Sequence, residues 1–284
     1  MEYATLNTGA KMPMMGFGVY QVPDYDQCKK IVKDAIRVGY RLIDTAAAYH
    51  NEKAVGDAIK EAIAEGMVKR EDLFITSKIW VTDMRSYDTA KAAIDRSLDN
   101  LGLEYLDLYL EHQAMGNYFE AWRAMEDAYK EGKLKAIGVS NFFPNVLANF
   151  CLNVDVVPAV NQVELHPFFA QENALATMKE YGVTPEAWAP LAEGKQGIFK
   201  DPEMTEIGKK YGKTAAQVAM RWNIQRGVVV IAKTTHEERM KENIDLFDFS
   251  LNEDEMKIIS DKTLDHSEII NHFDPALVRM LNGK

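Results

Sequence analysis

The chain has 284 residues, of which 47% are apolar, and its formal net charge is −10. A negative charge of this size repels nucleic acid and anionic membrane surfaces, so neither is an expected partner. The longest apolar runs, such as residues 228–232, are far shorter than the ~20 residues that cross a bilayer. The start, MEYATLNTGAKMP, lacks the basic and apolar parts of a signal peptide, which predicts a cytoplasmic protein. Two cysteines and no Cys/His ligand spacing predict neither a disulfide framework nor a metal site.

Short apolar segments alternate with longer periodic segments along the chain. Turn residues within 5–14 predict a small β-hairpin near the start. Runs of apolar, β-branched and aromatic residues predict strands at 15–18, 41–44, 73–78, 105–112, 134–139, 159–164, 183–189 and 228–231. Helical periodicity is present at 26–38, 52–64, 86–101, 118–131, 173–181 and 214–226.

Strands that are nearly all apolar, each followed by a helix, indicate a parallel sheet buried on both faces. Eight such units with no Pro/Gly/Ser-rich linker predict one α/β domain over residues 1–284, folded as a (β/α)8 TIM barrel. The hairpin is expected to cap the bottom of the barrel. Residues 252–284 are expected to fold over the top as a substrate loop.

Polar residues stand at or just after the ends of several predicted strands: Asp44, Lys78, His112, Asn141 and Gln162. In a barrel these positions meet at the carboxyl rim, where functional residues lie. A phenol titrates near pH ~10, so Tyr49 needs a neighbouring cation to exchange a proton at neutral pH. Lys78, held by Asp44, would supply that cation, which is a proton relay suited to carbonyl reduction. The alternatives are that Asp44 and Lys78 form an ordinary ion pair and that His112 has only a structural role.

Two glycine-containing segments invite a phosphate-binding interpretation. Gly16 and Gly18 lack the third glycine of a dinucleotide-binding turn, and residues 208–214 have three residues, instead of four, between their glycines. The second segment also follows a predicted helix, where a P-loop would follow a strand. A helix end at Gly212 followed by a helix start at Thr214 explains it better.

Four ordered motifs resemble those of the aldo-keto reductase family, over about residues 5–249. They are GYRLIDTAAAYHNE at 39–52, GVSNF at 138–142, NQVELHP at 161–167 and VVVIAKTTHEERMKEN at 228–243. The resemblance implies that the chain reduces small aldehydes or ketones to alcohols with NADPH. It further implies that Tyr49 is the general acid, that Lys78 lowers its pKa, that Asp44 positions the lysine and that His112 orients the substrate.

The resemblance also implies residues for the cofactor and the substrate. At the nicotinamide and pyrophosphate they are Ser140, Asn141, Gln162, Trp188 and Leu191, with backbone contacts expected near Glu193. At the 2′-phosphate they are Lys233, Thr234, Thr235 and Arg239, and at the adenine Glu242 and Asn243. The substrate pocket is assigned to Tyr20, Trp80 and Gln113. The alternatives are a solvated basic helix end for the phosphate cluster and simple rim packing for the two aromatic residues.

Three residues depart from the family pattern. Glu111 stands where an aliphatic residue is usual, and strand alternation predicts that it faces the helix layer, where it needs a cationic partner or a wet rim. Ala114 and Ala232 each replace a common proline.

A monomer is expected. The remaining alternatives are a barrel that binds the cofactor without turnover and a sugar-phosphate isomerase or aldolase on the same fold.

Overall fold

The computed structural model describes residues 1–283, and Lys284 lies outside the described residues. Two strands, β1 (Tyr3–Thr5) and β2 (Lys11–Pro13), form an antiparallel hairpin. Eight parallel strands then close a barrel in chain order: β3 (Met15–Gly18), β4 (Leu42–Asp44), β5 (Phe74–Ile79), β6 (Leu108–Glu111), β7 (Ile137–Ser140), β8 (Val160–Glu164), β9 (Thr184–Trp188) and β10 (Val229–Ala232). The predicted (β/α)8 barrel with its preceding hairpin is confirmed.

Most helices cover the outside of the barrel, whereas the last one lies at the carboxyl rim. The helices are α1 (Tyr25–Val38), α2 (Glu52–Ala64), α3 (Tyr87–Leu101), α4 (Tyr118–Lys130), α5 (Pro144–Cys151), α6 (Glu172–Tyr181), α7 (Pro202–Tyr211), α8 (Ala215–Gln225), α9 (Glu237–Ile244), α10 (Glu253–Ser260) and α11 (Pro275–Leu281). No helix of residues 1–283 is long and apolar enough to span a membrane.

The barrel interior is closely packed where strands β10 and β3 meet. A Cβ on Gly18 would lie 2.8 Å from the Ile231 side chain, and one on Gly16 would collide with Ile231 and Leu42. Carbon atoms do not approach this closely, so the two glycines are required by packing. They are therefore part of the barrel wall and do not form a phosphate-binding turn.

Gly212 and Thr214 end one helix and begin the next, as predicted. Gly212 follows α7 in a left-handed conformation with φ of 66°, which glycine adopts without strain. The Thr214 hydroxyl accepts a hydrogen bond from the backbone N–H of Gln217 at the start of α8. A phosphate-binding loop at 208–214 is thus excluded.

Strand β6 is shorter than the predicted segment 105–112. Leu106 forms only one isolated bridge, with Leu134. The backbone N–H of Asp107 still donates to the Ile75 carbonyl, but the Ile75 N–H is accepted by the Asp107 carboxylate at 2.8 Å, which also pairs with Arg70. Regular pairing begins at Leu108 and places His112 directly after the strand.

The carboxyl-terminal segment only partly follows its predicted course over the top of the barrel. Helix α10 instead packs on the outside against α7 and α8, because its Ile259 side chain is buried there. Residues 261–283 then turn back to the carboxyl rim. Ser267 donates a hydrogen bond to the carboxylate of Glu164, the last residue of β8, and Ile269, Ile270 and Leu281 line a cleft at this rim.

Candidate active site

Lys78 is the centre of a buried group of polar side chains at the carboxyl rim. Its ammonium donates to both Asp44 carboxylate oxygens, at 2.6 and 2.8 Å, and to the Thr45 carbonyl at 3.0 Å. The Tyr49 hydroxyl lies 3.5 Å from the same nitrogen. Burial is the largest influence and opposes the charged ammonium, but Asp44, Tyr49 and Glu186 together outweigh it and raise the pKa of Lys78. The lysine therefore stays charged at physiological pH.

The sequence positions these groups through strand alternation and one tight turn. Asp44 ends β4, and Lys78 points to the same interior two residues beyond the Asp44 partner Thr76. After Asp44 the chain forms a short 3-10 turn at Ala47–Tyr49 and reverses at His50, whose φ is 56°. This turn brings the Tyr49 hydroxyl back over Lys78.

The pKa of Tyr49 differs from the expectation that Lys78 lowers it below its ordinary value. Burial raises the pKa of Tyr49 to about 12, although the charge of Lys78 acts in the opposite direction. At 3.5 Å the ammonium does not compensate for the loss of hydration around the phenol. Tyr49 is therefore protonated at neutral pH, and the charge of Lys78 acts against the burial that holds this proton on the phenol.

His112 lies beside Tyr49 and is electrically neutral. Burial, helped by the charge of Lys78, holds the pKa of His112 well below its usual range. The two rings meet edge to face, with centroids 5.5 Å apart, and Trp80 contacts the other side of the imidazole at 5.1 Å. Its Nδ1 atom is buried and has no hydrogen-bond partner among residues 1–283. Nε2 does not belong to these buried atoms without a partner. A neutral imidazole here can donate a hydrogen bond to a substrate oxygen.

Asn141 and Ser140 support the rim of the barrel. The Ser140 hydroxyl donates to the Gln162 carbonyl at 2.8 Å. The Asn141 amide donates to the His112 carbonyl and accepts the indole N–H of Trp188 at 2.9 Å, which fixes the plane of the indole. Both side chains are thus engaged with the protein.

Unlike Ser140 and Asn141, Gln162 has a side-chain oxygen that is free to accept a hydrogen bond. Its amide nitrogen donates to two carboxyl groups, and its amide oxygen accepts no hydrogen bond from residues 1–283. Gln162 also lines the cleft.

A cleft of about 1420 Å³ opens above these groups. Most of the residues that were predicted for the site line this cleft. They are Tyr20, Asp44, Tyr49, Trp80, His112, Gln113, Ser140, Asn141, Gln162, Trp188, Leu191 and Lys233. Lys78 lies fully buried beneath it. The remaining predicted residues, Thr234, Thr235, Arg239, Glu242 and Asn243, lie beyond Lys233 at the start of and along α9, outside the cleft lining.

Two basic residues near the start of α9, Lys233 and Arg239, are exposed. Neither Lys233 nor Arg239 forms an ion pair within residues 1–283. Glu242 is less available than predicted, because its carboxylate accepts the Thr214 hydroxyl at 2.7 Å. Two free cations on a protein of net charge −10 make this end of the site attractive to an anion.

The segment after Trp188 has an unusual backbone. Glu193 lines the cleft with a φ of 51°, and left-handed conformations recur at Gly194, Gln196 and Gly197. Lys195 donates to the Glu268 carbonyl of the carboxyl-terminal segment. The segment after Trp188 is therefore joined to the carboxyl-terminal segment at one side of the cleft.

The sequence interpretation missed several residues of the cleft. Ile269, Ile270, His272 and Leu281 come from the carboxyl-terminal segment, whose path no local pattern specifies. It also missed Glu186, which is fully buried in β9. An available signal was an acidic residue in an apolar strand, two positions before Trp188 and therefore on the same face.

Glu111 faces the helix layer as predicted, on the side of β6 that also carries Tyr109. The hydroxyl of Tyr109 contacts Ser97 of α3. The required cation or wet rim is absent, because Glu111 is fully buried and neither carboxyl oxygen has a partner among residues 1–283. Burial raises the pKa of Glu111 well above its ordinary value. The residue is therefore accommodated as a neutral acid.

The closed barrel holds a buried carboxylate–lysine–phenol group and a neutral histidine at the floor of an open cleft, an arrangement in which the phenol can exchange a proton with a bound molecule. The family model described as "Aldo/keto reductase family" matches residues 14–263, so the chain belongs to that family.

Relatives support this membership over nearly the whole chain. The chain is 45% identical to a glyoxal reductase of Bacillus subtilis (strain 168), covering 88% of this chain and 89% of the relative. It is 42% identical to a methylglyoxal reductase of Escherichia coli (strain K12), covering 88% and 90%. A Bombyx mori aldo-keto reductase crystallised with NADP superimposes with a TM-score of 0.90 at 35% identity, covering 95% of each chain.

Proposed function

We propose that this aldo-keto reductase uses Tyr49, Lys78, Asp44 and His112 to reduce small aldehydes and ketones with NADPH. It would act in the cytoplasm as a monomer built from one domain, residues 1–284. The observation that carries the proposal is the position of Lys78, which contacts both Asp44 and Tyr49 at the floor of the cleft. Relatives named glyoxal reductase and methylglyoxal reductase support a small carbonyl substrate.

Each of the four side chains has a separate role at the carbonyl oxygen of the substrate. NADPH supplies a hydride to the carbonyl carbon when it is bound. His112, as a neutral imidazole, donates a hydrogen bond to the carbonyl oxygen and orients it. Tyr49 gives its proton to that oxygen as negative charge develops, and Lys78 stabilises the phenolate that remains. Asp44 keeps Lys78 charged and correctly placed.

Three features of the protein fit the cofactor. Trp188 is fixed by Asn141 and exposes an aromatic face in the cleft. Gln162 offers a free amide oxygen, which suits the amide N–H of nicotinamide. Lys233 and Arg239 are unpaired cations near the start of α9, which suits a phosphate. Gln162 and Trp188 would therefore hold the nicotinamide of NADPH, and Lys233 and Arg239 its 2′-phosphate.

The other end of the cleft suits a compact, partly apolar substrate. Tyr20 lies against Tyr49 with ring centroids 5.0 Å apart, and Trp80 lies against His112. Gln113 lines the cleft and adds a polar wall there, although its unpartnered amide oxygen is itself buried. Ile269 and Leu281 add apolar surface. We infer that Tyr20, Trp80 and Gln113 contact the substrate.

A direct assay tests the proposed reaction. On addition of methylglyoxal or glyoxal to the purified protein and NADPH, we expect the absorbance near ~340 nm to fall, because the reduced nicotinamide is consumed. A panel of aryl aldehydes, keto acids and sugars then defines the substrate range. NADPH binding without turnover of any carbonyl would favour the alternative of a non-catalytic barrel, against which the intact group of four residues argues.

Arg239→Ala is expected to weaken NADPH binding selectively. Removing a cation that faces the 2′-phosphate costs about tenfold or more in affinity, whereas NADH has no phosphate there. Fluorescence titration with both cofactors measures the two dissociation constants. Arg123→Ala, which removes an exposed arginine on α4, is the matched control and should change neither. Equal weakening of NADPH and NADH would contradict the assignment of the 2′-phosphate site.

A further inference from the structure

Glu186 is a buried acid that the proposed chemistry does not use. It lies in β9, fully buried, and faces the barrel interior between Gln162 of β8 and the apolar Val229 of β10. One carboxyl oxygen accepts the amide N–H of Gln162 at 2.9 Å, and the other has no partner among residues 1–283. A buried carboxyl group without a cation is costly, so its presence in the barrel requires an explanation.

Gln162 connects this acid to the catalytic lysine. The Gln162 amide nitrogen donates to the Asp44 carboxylate at 2.9 Å as well as to Glu186. Asp44 in turn accepts the ammonium of Lys78. Glu186, Gln162, Asp44 and Lys78 therefore form one line of hydrogen bonds across the barrel. We call these four residues the barrel line.

The chemistry of the amide gives the line its direction. An amide nitrogen has two N–H donors, and both are used here, one on each carboxyl group. Rotation of the amide by half a turn would place its oxygen against the Asp44 carboxylate, which repels it. The Asp44 carboxylate therefore selects a single orientation, in which Glu186 accepts the second N–H and the amide oxygen of Gln162 is the atom left for the cleft.

We propose that Glu186 is a positioning residue that fixes the amide of Gln162 with its oxygen available to the nicotinamide carboxamide of NADPH. The proposal rests on the proposed function, because it assigns the nicotinamide to the part of the cleft that Gln162 lines. Glu186 acts only through Gln162 and touches neither cofactor nor substrate.

The protonation state of Glu186 determines which substitution preserves its charge and its hydrogen bond to Gln162. Burial, together with the charge of Asp44, raises the pKa of Glu186 to about 8, against the hydrogen bond from Gln162 and the charge of Lys78. At pH 7 the side chain is therefore mostly a neutral acid. Glu186→Gln keeps its size, its lack of charge and an oxygen acceptor for Gln162, whereas Glu186→Leu removes the acceptor.

Binding of the whole cofactor and of its adenosine half distinguishes positioning from general damage. Glu186→Leu leaves one N–H of Gln162 unpaired and releases the amide, so we expect the Kd for NADPH to rise about tenfold at pH 7. The Kd for adenosine 2′,5′-bisphosphate, which has no nicotinamide, should stay unchanged. Glu186→Gln should restore NADPH affinity to within about twofold of the wild type.

Thr184→Val is the control within the same strand. Thr184 lies on the face of β9 that carries Glu186, two residues earlier, and its hydroxyl makes no hydrogen bond within residues 1–283. It should bind both ligands like the wild type. Equal weakening of both ligands in Glu186→Leu, or no weakening of either, would overturn the proposal. Wild-type protein that binds neither ligand would instead refute the proposed function.

The pH dependence of stability tests the burial on which the barrel line depends. The unfolded chain ionises Glu186 near pH ~4.3, whereas the native chain keeps the proton up to about pH 8. The native state binds more protons in this window, so the contribution of Glu186 to stability falls as the pH rises through it. The stability of Glu186→Gln relative to wild type should therefore increase from pH 5 to pH 8. A pH-independent difference would show that Glu186 is solvated and would overturn the proposal.

Discussion

Tyr49→Phe is expected to abolish nearly all carbonyl reduction while leaving NADPH binding intact. The substitution removes one oxygen, the hydroxyl that lies 3.5 Å from the Lys78 ammonium at the floor of the cleft. Loss of a positioned general acid lowers kcat by about 10²- to 10⁴-fold. The ring itself stays, so its edge-to-face contact with His112 and its packing against Tyr20 are preserved.

The measurement is a pair of titrations on the same protein. Absorbance near ~340 nm gives kcat with methylglyoxal, and cofactor fluorescence gives the Kd for NADPH. Tyr25→Phe is the matched control, since it removes an equivalent hydroxyl that contacts Asp57 at the surface of α1. Turnover of Tyr49→Phe at the wild-type rate would refute Tyr49 as the proton donor, and His112 would then be the group to examine.

Lys78→Met is expected to impair both catalysis and folding. The substitution removes the cation from a buried pair and leaves the Asp44 carboxylate facing Gln162 alone. Breaking a buried pair from one side costs about 3–5 kcal/mol of the free energy of unfolding, because an uncompensated charge remains in the interior. Carbonyl reduction should also be lost, since no cation remains to stabilise a Tyr49 phenolate.

The double variant separates these two effects. In Asp44→Asn with Lys78→Met both charges are absent, so we expect urea unfolding to recover about 2 kcal/mol or more relative to Lys78→Met alone. Catalysis should stay as low as in the single variant. If the double variant were no more stable than Lys78→Met, or if Lys78→Met unfolded like the wild type, the pair would not be the buried unit that its hydrogen bonds indicate.

Much of the fold was readable from local pattern because each barrel unit is a local structure. Short apolar segments such as 15–18 and 159–164 lie where the barrel strands do, and the ends at Gly212 and Thr214 follow from the chemistry of helix termini. The carboxyl-terminal segment was less predictable. Its helix α10 is amphipathic like any surface helix, and nothing local specifies which face of the barrel it covers.

The candidate site divides in the same manner. Strand alternation and the carboxyl-end rule bring Asp44, Lys78 and His112 to one rim without any knowledge of distances. The protonation state of each group could not be predicted from the sequence. Lys78 at 3.5 Å does not overcome the burial of Tyr49, so the pKa of Tyr49 rises, and Glu111 lacks the cation that its charge would require.

Residue types, their order and their spacing establish that this chain is a barrel with an acid, a lysine, a phenol and a histidine at its rim. Barrel closure alone decides how they meet. Gln162 and Asp44 are 118 residues apart, yet 2.9 Å separates their side chains, and Glu186 joins them from a third strand. Such contacts depend on shear, burial and the path of each side chain across the interior, and these are properties of the closed sheet that no local segment contains.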